Sequence, residues 1–238
     1  MELPLKRSSH DVHQDIMREI CLSVADTPMV LKGGTALLLC YGLDRPSEDL
    51  DFDSSRKMGL ERRIEIALQN QCRINDLKTL KDTDTVQRLR LTYTHLQTAI
   101  QGSLKIETSF RQVPPSSQVD VINRIRVYKL DNLFQQKTKA FYQRTAARDL
   151  YDLAFILGQT GFVPDRGSLE RIHQDLTDPK RFGEIEQQFR QAFQIDPLLS
   201  SYDFDKVFLQ LSDRIEEAYK KAEYTAIAKQ RAKKASCD

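Results

Sequence analysis

The chain has 238 residues, of which 40% are hydrophobic and 29% are charged, and its formal net charge is +2. A chain of this length can form one large core or two lobes with a cleft between them, and we expect two lobes. The composition excludes a disordered chain and a membrane-embedded chain, and the near-neutral charge alone does not indicate nucleic-acid binding.

The sequence also argues against membrane targeting and against cysteine-based metal sites or disulfides. No apolar run approaches the ~18 residues that span a bilayer, and Met1 to Arg7 lack the apolar stretch of a signal peptide. The cysteines lie far apart without CxxC spacing, at Cys21, Cys40, Cys72 and Cys237. We therefore expect a cytoplasmic protein with no membrane partner, whose thiols are core residues.

The N-terminal half mixes helix and strand patterns. Apolar residues recur about every four positions over Asp11 to Val24, and Glu61 to Gln69 has a similar pattern, so both segments are predicted helices. Alternating polar and apolar residues predict three strands of one sheet, at residues 86–93, 104–108 and 121–127. The Pro-Pro-Ser-Ser segment at 114–117 predicts a surface connection between the last two strands.

From Asp131 onward nearly the whole chain has the helical period. The predicted helices cover residues 132–142, 146–157, 169–176, 182–193 and 204–222. The sequence thus predicts an α+β protein, with a mixed-sheet N-terminal lobe over residues 1–128 and an all-helical C-terminal lobe over residues 129–238.

A double glycine stands at the start of a helical pattern. Gly33 and Gly34 directly precede the apolar segment from Thr35 to Tyr41. Glycines at a helix start allow backbone N–H groups to approach an anion at the positive end of the helix dipole, with Thr35 as N-cap. A plain tight turn explains the same residues, so this segment alone does not define a nucleotide site.

Two aspartates follow in a segment with strand alternation. If residues 49–52 form a strand, Asp49 and Asp51 point to one face while the apolar residues next to them point into a core. Neighbouring carboxylates repel each other unless a divalent cation lies between them. Mg²⁺ prefers one or two carboxylates together with phosphate oxygens. The pair therefore indicates phosphoryl or nucleotidyl transfer.

Further charged residues are candidates for the same site. Glu107 shares a strand face with Lys105 and either adds a third acid or is a solvated outer-face residue. Lys137 lies on a predicted helix, where a lysine at a cleft would bind a triphosphate as a point charge. On the next helix, Arg148 and Asp152 have the spacing of a pair along one helix face, which explains both without a function.

Four segments between Leu31 and Leu157 together resemble a known family. They are GGTALLLCYG, SEDLDFD, LKIETSF and LFQQKTKAFYQRTAARDLYDLAF. This arrangement resembles the AbiEii/AbiGii toxin family, which lies within the polymerase-β-like nucleotidyltransferase superfamily. The resemblance implies a nucleotidyltransferase-like fold for the mixed-sheet lobe.

The resemblance also implies roles for individual residues. The residues that hold the phosphates of the nucleotide would be Gly33, Gly34, Thr35, Ser47 and Lys137. The catalytic residues would be Asp49, Asp51, Lys137 and Asp152. The ligands of Mg²⁺, or of Mn²⁺ in its place, would be Asp49, Asp51 and Glu107. Relatives often carry aspartate at the position of Glu107, and Lys139 and Asp149 are the neighbours most easily confused with Lys137 and Asp152.

As an activity, the resemblance implies transfer of a nucleoside monophosphate from an NTP to the 3′ acceptor end of tRNA, which blocks translation. The chain would then be the toxin of a bacterial toxin–antitoxin or phage-defence pair, neutralised by a cognate antitoxin. A protein acceptor, a small-molecule acceptor and a catalytically silent binding module are the alternatives.

Basic residues indicate where RNA would bind under this reading. The candidates in the N-terminal half are Arg62, Arg63, Arg88 and Arg90. A second group lies near the C-terminus, at Lys220, Lys221, Lys229, Arg231, Lys233 and Lys234. A solvated helix end also explains this second group.

Overall fold

The computed structural model describes the backbone of residues 7–235 and the side chains of residues 7–228. The chain divides into two compact units, of which the first ends at Lys129 and the second begins at Leu130. The first unit combines a sheet with helices, whereas the described part of the second consists of helices and their connections. The predicted α+β class, with a mixed-sheet N-terminal part and a helical C-terminal part, is confirmed.

The described residues of the first unit form three long helices and seven strands. The helices are α1 (Ser9–Ser23), α2 (Gly33–Tyr41) and α3 (Leu60–Leu68). The strands are β1 (Val30–Lys32), β2 (Asp49–Asp53), β3 (Cys72–Asp82), β4 (Val86–His95), β5 (Gln101–Ser109), β6 (Val119–Ile122) and β7 (Ile125–Tyr128). A 3₁₀ turn at Ser116–Gln118 precedes β6, and residues 115–117 are exposed, as predicted for a surface connection.

The seven strands form one mixed sheet in the order β3-β4-β5-β2-β1-β7-β6. The β2/β5 and β1/β7 pairs are parallel, and the other neighbours are antiparallel. Along β2, Leu50 and Phe52 are buried at 0% and 2% exposure, whereas the alternate aspartates are less buried. The sheet therefore has an apolar face in the core and a polar face that carries the β2 acids near its centre.

Three details of the first unit differ from the sequence expectation. Residues 121–127 are not one strand but parts of a β6/β7 hairpin, because Asn123 and Arg124 turn the chain with φ angles of 51° and 68°. The strand β3 was not predicted, since Cys72 is its only buried residue and no clear alternation is visible. Helix α2 begins at Gly33, two residues before Thr35.

The second unit is helical throughout its described residues. Its helices are α4 (Leu130–Gln143), α5 (Ala147–Leu157), α6 (Arg166–Thr177), α7 (Pro179–Ile195) and α8 (Phe204–Ala235). Each predicted helix of this part is present, and α8 continues well past residue 222. Helix α5 is buried on nearly all sides, although Asp149 and Asp152 are among its buried residues. Charges in such a position require partners within the protein.

The lysines near the end of the chain are placed only in part. Lys220 lies 2.8 Å from Glu216 and Lys221 lies 2.6 Å from Glu217, as ordinary pairs along one helix. The remaining basic residues, Lys229, Arg231, Lys233 and Lys234, lie outside the residues whose side chains are described. In the described part of the chain, no helix combines the length and the apolar character that crossing a bilayer requires.

Candidate active site

Gly33 lies directly beside Asp51. Strands β1 and β2 are antiparallel neighbours with Lys32 opposite Asp51, so the turn that leaves β1 lies next to the β2 acids. Gly33 has a φ of +75°, and a Cβ added there would lie 3.4 Å from Asp51 Oδ2. Glycine adopts this backbone region without strain and leaves the space beside the carboxylate open. The structure thus brings the double glycine and the aspartate pair together.

The Asp51 carboxylate is poorly solvated. Burial is the main cause that raises its pKa, and the Asp49 and Glu107 carboxylates add to the rise. The ammonium groups of Lys105 and Lys32 partly offset it. A buried carboxyl group is costly to ionise unless positive charge is brought close to it. A divalent cation beside Asp51 would supply that charge, which favours a metal site at this position.

Two lysines pair with the acids on either side of Asp51. Lys105 Nζ lies 2.6 Å from Asp49 Oδ2, across the parallel β2/β5 pair. Lys32 Nζ lies 2.5 Å from Asp53 Oδ1. Within the described residues Asp51 itself has no ion pair, so the β2 acid whose pKa burial raises is the one that lacks a cationic partner.

Glu107 occupies the strand position opposite Asp51 but is engaged elsewhere. In the β2/β5 register Asp51 pairs with Glu107. Glu107 Oε2 accepts hydrogen bonds from Arg88, at 2.7 Å from Nε and 2.6 Å from Nη2. No group of three His, Cys, Asp or Glu side chains is arranged to hold a metal ion in the part of the chain that the structure describes. Glu107 as a third ligand therefore stays a prediction, and it requires release from Arg88.

Asp49 and Asp51 alone form a donor set that fits Mg²⁺. This ion takes few protein carboxylates and completes its shell with water and substrate phosphates. The two aspartates lie on one strand face, and Gly33 leaves the space beside Asp51 free of side-chain atoms. A site with two carboxylates and an open side matches that preference.

The hydroxyl groups next to the glycines bond to each other and to the backbone. Thr35 is 1% exposed, and its hydroxyl donates to the Asp49 carbonyl while lying 2.7 Å from Ser47 Oγ. Because the single proton of Thr35 goes to Asp49, Ser47 is the donor in the Thr35 pair and has no proton left for a phosphate. Thr35 is the third residue of α2, whose N-cap is Lys32, so the interpretation of Thr35 as N-cap is wrong.

Arg45 belongs to this site, and the sequence did not single it out. It is 2% exposed, and its guanidinium would lie 2.8 Å from a Cβ at Gly34. One of its N–H groups donates to the Pro46 carbonyl at 2.7 Å. A buried arginine at the start of α2 adds positive charge where a phosphate would meet the helix. Its only sequence signal was its place between the glycines and the aspartate strand.

In the second unit, a lysine and two aspartates form a buried cluster. Lys137 Nζ on α4 lies 2.9 Å from Asp149 Oδ1 and 2.6 Å from Asp152 Oδ2, both on α5. The aspartates are 0% exposed and Lys137 is 8% exposed. Burial opposes ionisation of Asp149, but hydrogen bonds from Arg144 and the charge of Lys137 outweigh it and lower its pKa. An ammonium group has three N–H donors, so Lys137 keeps one for a further acceptor.

Neighbouring residues of these two helices have other surroundings. Lys139 is exposed. Arg148 Nε lies 3.0 Å from Asp196 Oδ2, which gives it an acidic partner on another element. Both Asp149 and Asp152 bind Lys137, so the two acids of the RDLYD motif act as a pair in this cluster.

The four arginines that were expected to face RNA divide into two groups. Arg62 and Arg63 lie on α3, and Arg63 donates to Asp26 Oδ1 at 2.8 Å. Arg88 and Arg90 lie on β4, and their register with β5 places them on the polar face that carries the β2 acids. Arg88 and Arg90 therefore share one face, Arg62 and Arg63 lie on a different element, and a common RNA-facing surface stays a prediction.

Comparisons with known proteins bear on this geometry. The family model described as nucleotidyl transferase AbiEii toxin, type IV TA system, matches residues 15–231. A crystal structure of a candidate nucleotidyltransferase from Helicobacter pylori is 34% identical with a TM-score of 0.83, and the match covers 92% of this chain and 98% of that one. The crystal structure of JHP933 from Helicobacter pylori is 34% identical with a TM-score of 0.84, covering 93% of this chain and 96% of that one. Among curated proteins none matches. The chain therefore belongs to the AbiEii family of nucleotidyltransferase toxins of type IV toxin–antitoxin systems.

Proposed function

We propose that this toxin transfers a nucleoside monophosphate from an NTP to the 3′ end of tRNA, with Mg²⁺ bound by Asp49 and Asp51, and thereby blocks translation. The observation that carries the proposal is the position of Gly33 beside Asp51, where a Cβ would lie 3.4 Å from Oδ2, so that an open backbone turn adjoins a poorly solvated carboxylate. Family membership supplies the reaction class and implies an antitoxin partner. The tRNA acceptor rests on the resemblance of the four sequence segments.

The start of α2 is suited to the phosphates of the nucleotide. The helix has nine residues, and no side chain caps its first backbone N–H groups. Such uncapped N–H groups bind anions, and the helix dipole adds to the attraction. A Cβ at Gly34 would lie 2.8 Å from Arg45 and 3.3 Å from Ser47. A side chain at this place would therefore displace Arg45, whereas glycine allows phosphates to approach the backbone closely.

Asp49 and Asp51 are the residues that would hold the divalent cation. When bound, Mg²⁺ supplies positive charge to the phosphate oxygens and so favours attack at phosphorus. Asp51 contributes a carboxylate that has no competing ion pair within the described residues. Asp49 lies 2.6 Å from Lys105, so a metal at this site would have to replace Lys105 as its partner.

The transfer is an in-line displacement at the α-phosphorus. A bond forms between the 3′ oxygen of the acceptor and the α-phosphorus, and the bond to the bridging oxygen of the β-phosphate breaks. Pyrophosphate leaves with that electron pair, and the proton of the 3′ hydroxyl passes to water. The resemblance assigns a phosphate-binding role to Lys137, and within the second unit its Nζ is held 2.9 Å from Asp149 and 2.6 Å from Asp152.

Transfer of label from a nucleotide tests the proposal directly. The full chain is incubated with each of the four radiolabelled NTPs, Mg²⁺ and total tRNA, and the RNA 3′ ends are sequenced. Label on tRNA 3′ ends, lost in Asp51→Ala, is the expected result. Label in a protein or small-molecule fraction would assign the alternative acceptors. Absence of transfer from every NTP, with no change in toxicity on Asp51→Ala, would overturn the enzymatic proposal.

Calorimetry distinguishes a protein with a functional Mg²⁺ and nucleotide site from a catalytically silent binding module. Mg²⁺ together with an NTP should bind the wild-type protein and should not bind the Asp49→Ala/Asp51→Ala variant. Asp53→Ala is the matched control, because Asp53 lies on the same strand face but bonds to Lys32 at 2.5 Å. Equal binding by all three proteins would argue against metal binding by the aspartate pair.

A further inference from the structure

The strand register places three cations in a line that ends at Asp49. Lys78 of β3 lies opposite Arg90 of β4, and Arg90 lies opposite Lys105 of β5. Lys105 in turn lies opposite Asp49 of β2. Directly opposed residues of neighbouring strands point to the same face of a sheet. Lys78, Arg90 and Lys105, here named the cationic row, therefore cross the polar face from the edge strand β3 to the aspartate pair.

The side chains of the cationic row are accessible. The side-chain exposure of Lys78 is 65% and that of Lys105 is 41%. Arg90 is exposed as well. This accessibility allows an external partner to reach all three positions.

The charge pattern of the row favours binding of an anion. Like charges directly opposite each other destabilise a sheet. The end members have partners, since Lys78 lies 3.1 Å from Asp76 and Lys105 lies 2.6 Å from Asp49. Arg90 stands between the two lysines and has no ion-pair partner among the described residues. An anion that reaches Arg90 would remove the repulsion at the centre of the row.

The neighbouring positions strengthen the positive field on the same side. Lys81 of β3 lies opposite Arg88 of β4, three residues from Lys78 on β3 and two residues from Arg90 on β4. Arg88 donates to Glu107 of β5, and Glu107 lies opposite Asp51 of β2. Acidic side chains thus lead from β5 to the aspartates of β2. On the polar face, cations therefore outnumber the acid Asp76 over β3 and β4, whereas the aspartates lie on β2, where a metal would bind.

We propose that the cationic row binds the phosphate backbone of single-stranded RNA and leads its 3′ end to Asp49 and Asp51. This inference rests on the proposed function and identifies the acceptor as a polynucleotide. A polynucleotide presents repeated phosphates along an extended chain, which matches cations on three strands spaced roughly 5 Å apart. A small-molecule acceptor would gain nothing from Lys78, which lies three strands away from Asp49.

Fluorescence anisotropy with a labelled single-stranded RNA of about 12 nucleotides tests the cationic row. The full-length variants are Arg90→Ala, Arg90→Glu and Arg90→Lys, with Arg62→Ala on α3 as the matched surface control. Arg90→Ala should weaken binding about three- to tenfold and lower the salt slope by about 0.7, as expected for one lost phosphate contact on a single strand. Arg90→Glu should weaken binding further, and Arg90→Lys and Arg62→Ala should retain nearly wild-type affinity.

Several outcomes would overturn the inference. Wild-type affinity and salt slope in Arg90→Glu would do so, as would equal weakening by Arg62→Ala. Polyglutamate that displaces the RNA as well as unlabelled RNA does would identify a general anion surface instead. Unchanged melting temperatures of the variants exclude misfolding as the cause of weaker binding.

Nucleotide transfer on the same variants separates this inference from the proposed function. If Arg90→Glu does not affect nucleotide transfer to RNA, the proposed function is retained and the RNA-binding role of the cationic row is rejected. If RNA binding depends on Arg90 but no NTP supports transfer, the RNA-binding role of the cationic row is retained and the proposed function is rejected.

Discussion

Gly33, at the start of α2, and Gly42, just after its end, both have a positive φ but lie in different surroundings. Their φ angles are +75° and +80°, both in the region that disfavours residues with a side chain. A Cβ at Gly33 would lie 3.4 Å from Asp51 Oδ2, whereas a Cβ at Gly42 would meet nothing within 4 Å. A comparison of variants at Gly33 and Gly42 can therefore distinguish the need for a positive φ from the need for open space beside Asp51.

Alanine at each glycine should give equal stability losses and unequal activity losses. Gly33→Ala and Gly42→Ala each place a side chain in the left-handed region, which costs about 1–2 kcal/mol in the free energy of unfolding. Only Gly33→Ala puts a methyl group in the space beside Asp51, so only this variant should reduce nucleotide transfer, by about tenfold or more. Urea unfolding and a transfer assay on both variants measure the two effects, and equal transfer rates would contradict this role of Gly33.

Asp51→Asn should stabilise the fold while it removes activity. Burial raises the pKa of Asp51 in the folded state. The folded protein then binds the Asp51 proton more tightly than the unfolded chain does. Protonated Asp51 therefore stabilises the fold fully at low pH, and this stabilisation is lost as the pH rises through the raised pKa. At neutral pH the variant should therefore unfold at a higher urea concentration than wild type, and the difference should shrink on acidification.

Two further measurements test the role of Asp51: nucleotide transfer by Asp51→Asn, and the stability of the neighbouring variant Asp53→Asn. Loss of a proposed metal ligand should reduce transfer on the order of 100-fold or more, since even supporting residues of metal sites contribute 10- to 100-fold. Asp53→Asn, on the same strand face, loses the charge that pairs with Lys32 and the second oxygen that accepts from the Tyr128 hydroxyl, so it should destabilise the fold. A variant Asp51→Asn that is less stable than wild type at pH 7 would show that Asp51 is not desolvated as described.

The aspartate pair could be predicted from the sequence, whereas its surroundings could not. Alternation of acids with Leu50 and Phe52 shows one face of a strand within four residues, so local pattern is sufficient. The partner of Asp49 is Lys105, which is 56 positions away and is placed by the β2/β5 register. Which strands become neighbours depends on the packing of the whole sheet, so the cationic row has no signal in any single segment.

The buried cluster of the second unit shows the same limit. The spacing of Asp149 and Asp152 on one helix face is visible in the sequence. That both acids are fully buried and share Lys137 depends on the packing of α4 against α5. A pair of acids three positions apart on an exposed helix face would look identical in the sequence.

Lys137→Met should destabilise the protein strongly. It removes the ammonium group that Asp149 and Asp152 share in the interior, and loss of one partner of a buried ion pair costs about 3–5 kcal/mol. Lys139→Met is the control, because Lys139 lies exposed on the same helix and should change stability little. Equal urea midpoints for the two variants would contradict the cluster. Loss of toxicity in Lys137 or Asp152 variants therefore has to be compared with their stability.

The loss of stability at low pH reports on the ionisation of Asp149. Hydrogen bonds from Arg144 and the charge of Lys137 lower its pKa in the folded state despite burial. Its stabilising contribution is therefore present above the pKa of the unfolded chain and is lost as the pH falls through the lowered folded value. Asp149→Asn should be less stable than wild type at neutral pH, and the difference should narrow under strongly acidic conditions. A difference that widens on acidification would mean that the pKa of Asp149 is not lowered.

Lys105→Met should bind Mn²⁺ more tightly than wild type while it binds RNA more weakly. The Lys105 ammonium lies 2.6 Å from Asp49 Oδ2 and competes with a metal for that carboxylate. Both side chains are 41% exposed, so the competing pair is screened by solvent and its removal should tighten Mn²⁺ binding only about two- to fivefold. Lys78→Met lies in the same cationic row but away from the acids, so it should weaken RNA binding and leave Mn²⁺ binding unchanged. Calorimetry with Mn²⁺ in the absence of nucleotide measures the difference. Weaker Mn²⁺ binding in Lys105→Met would mean that Lys105 supports the metal site and does not compete with it.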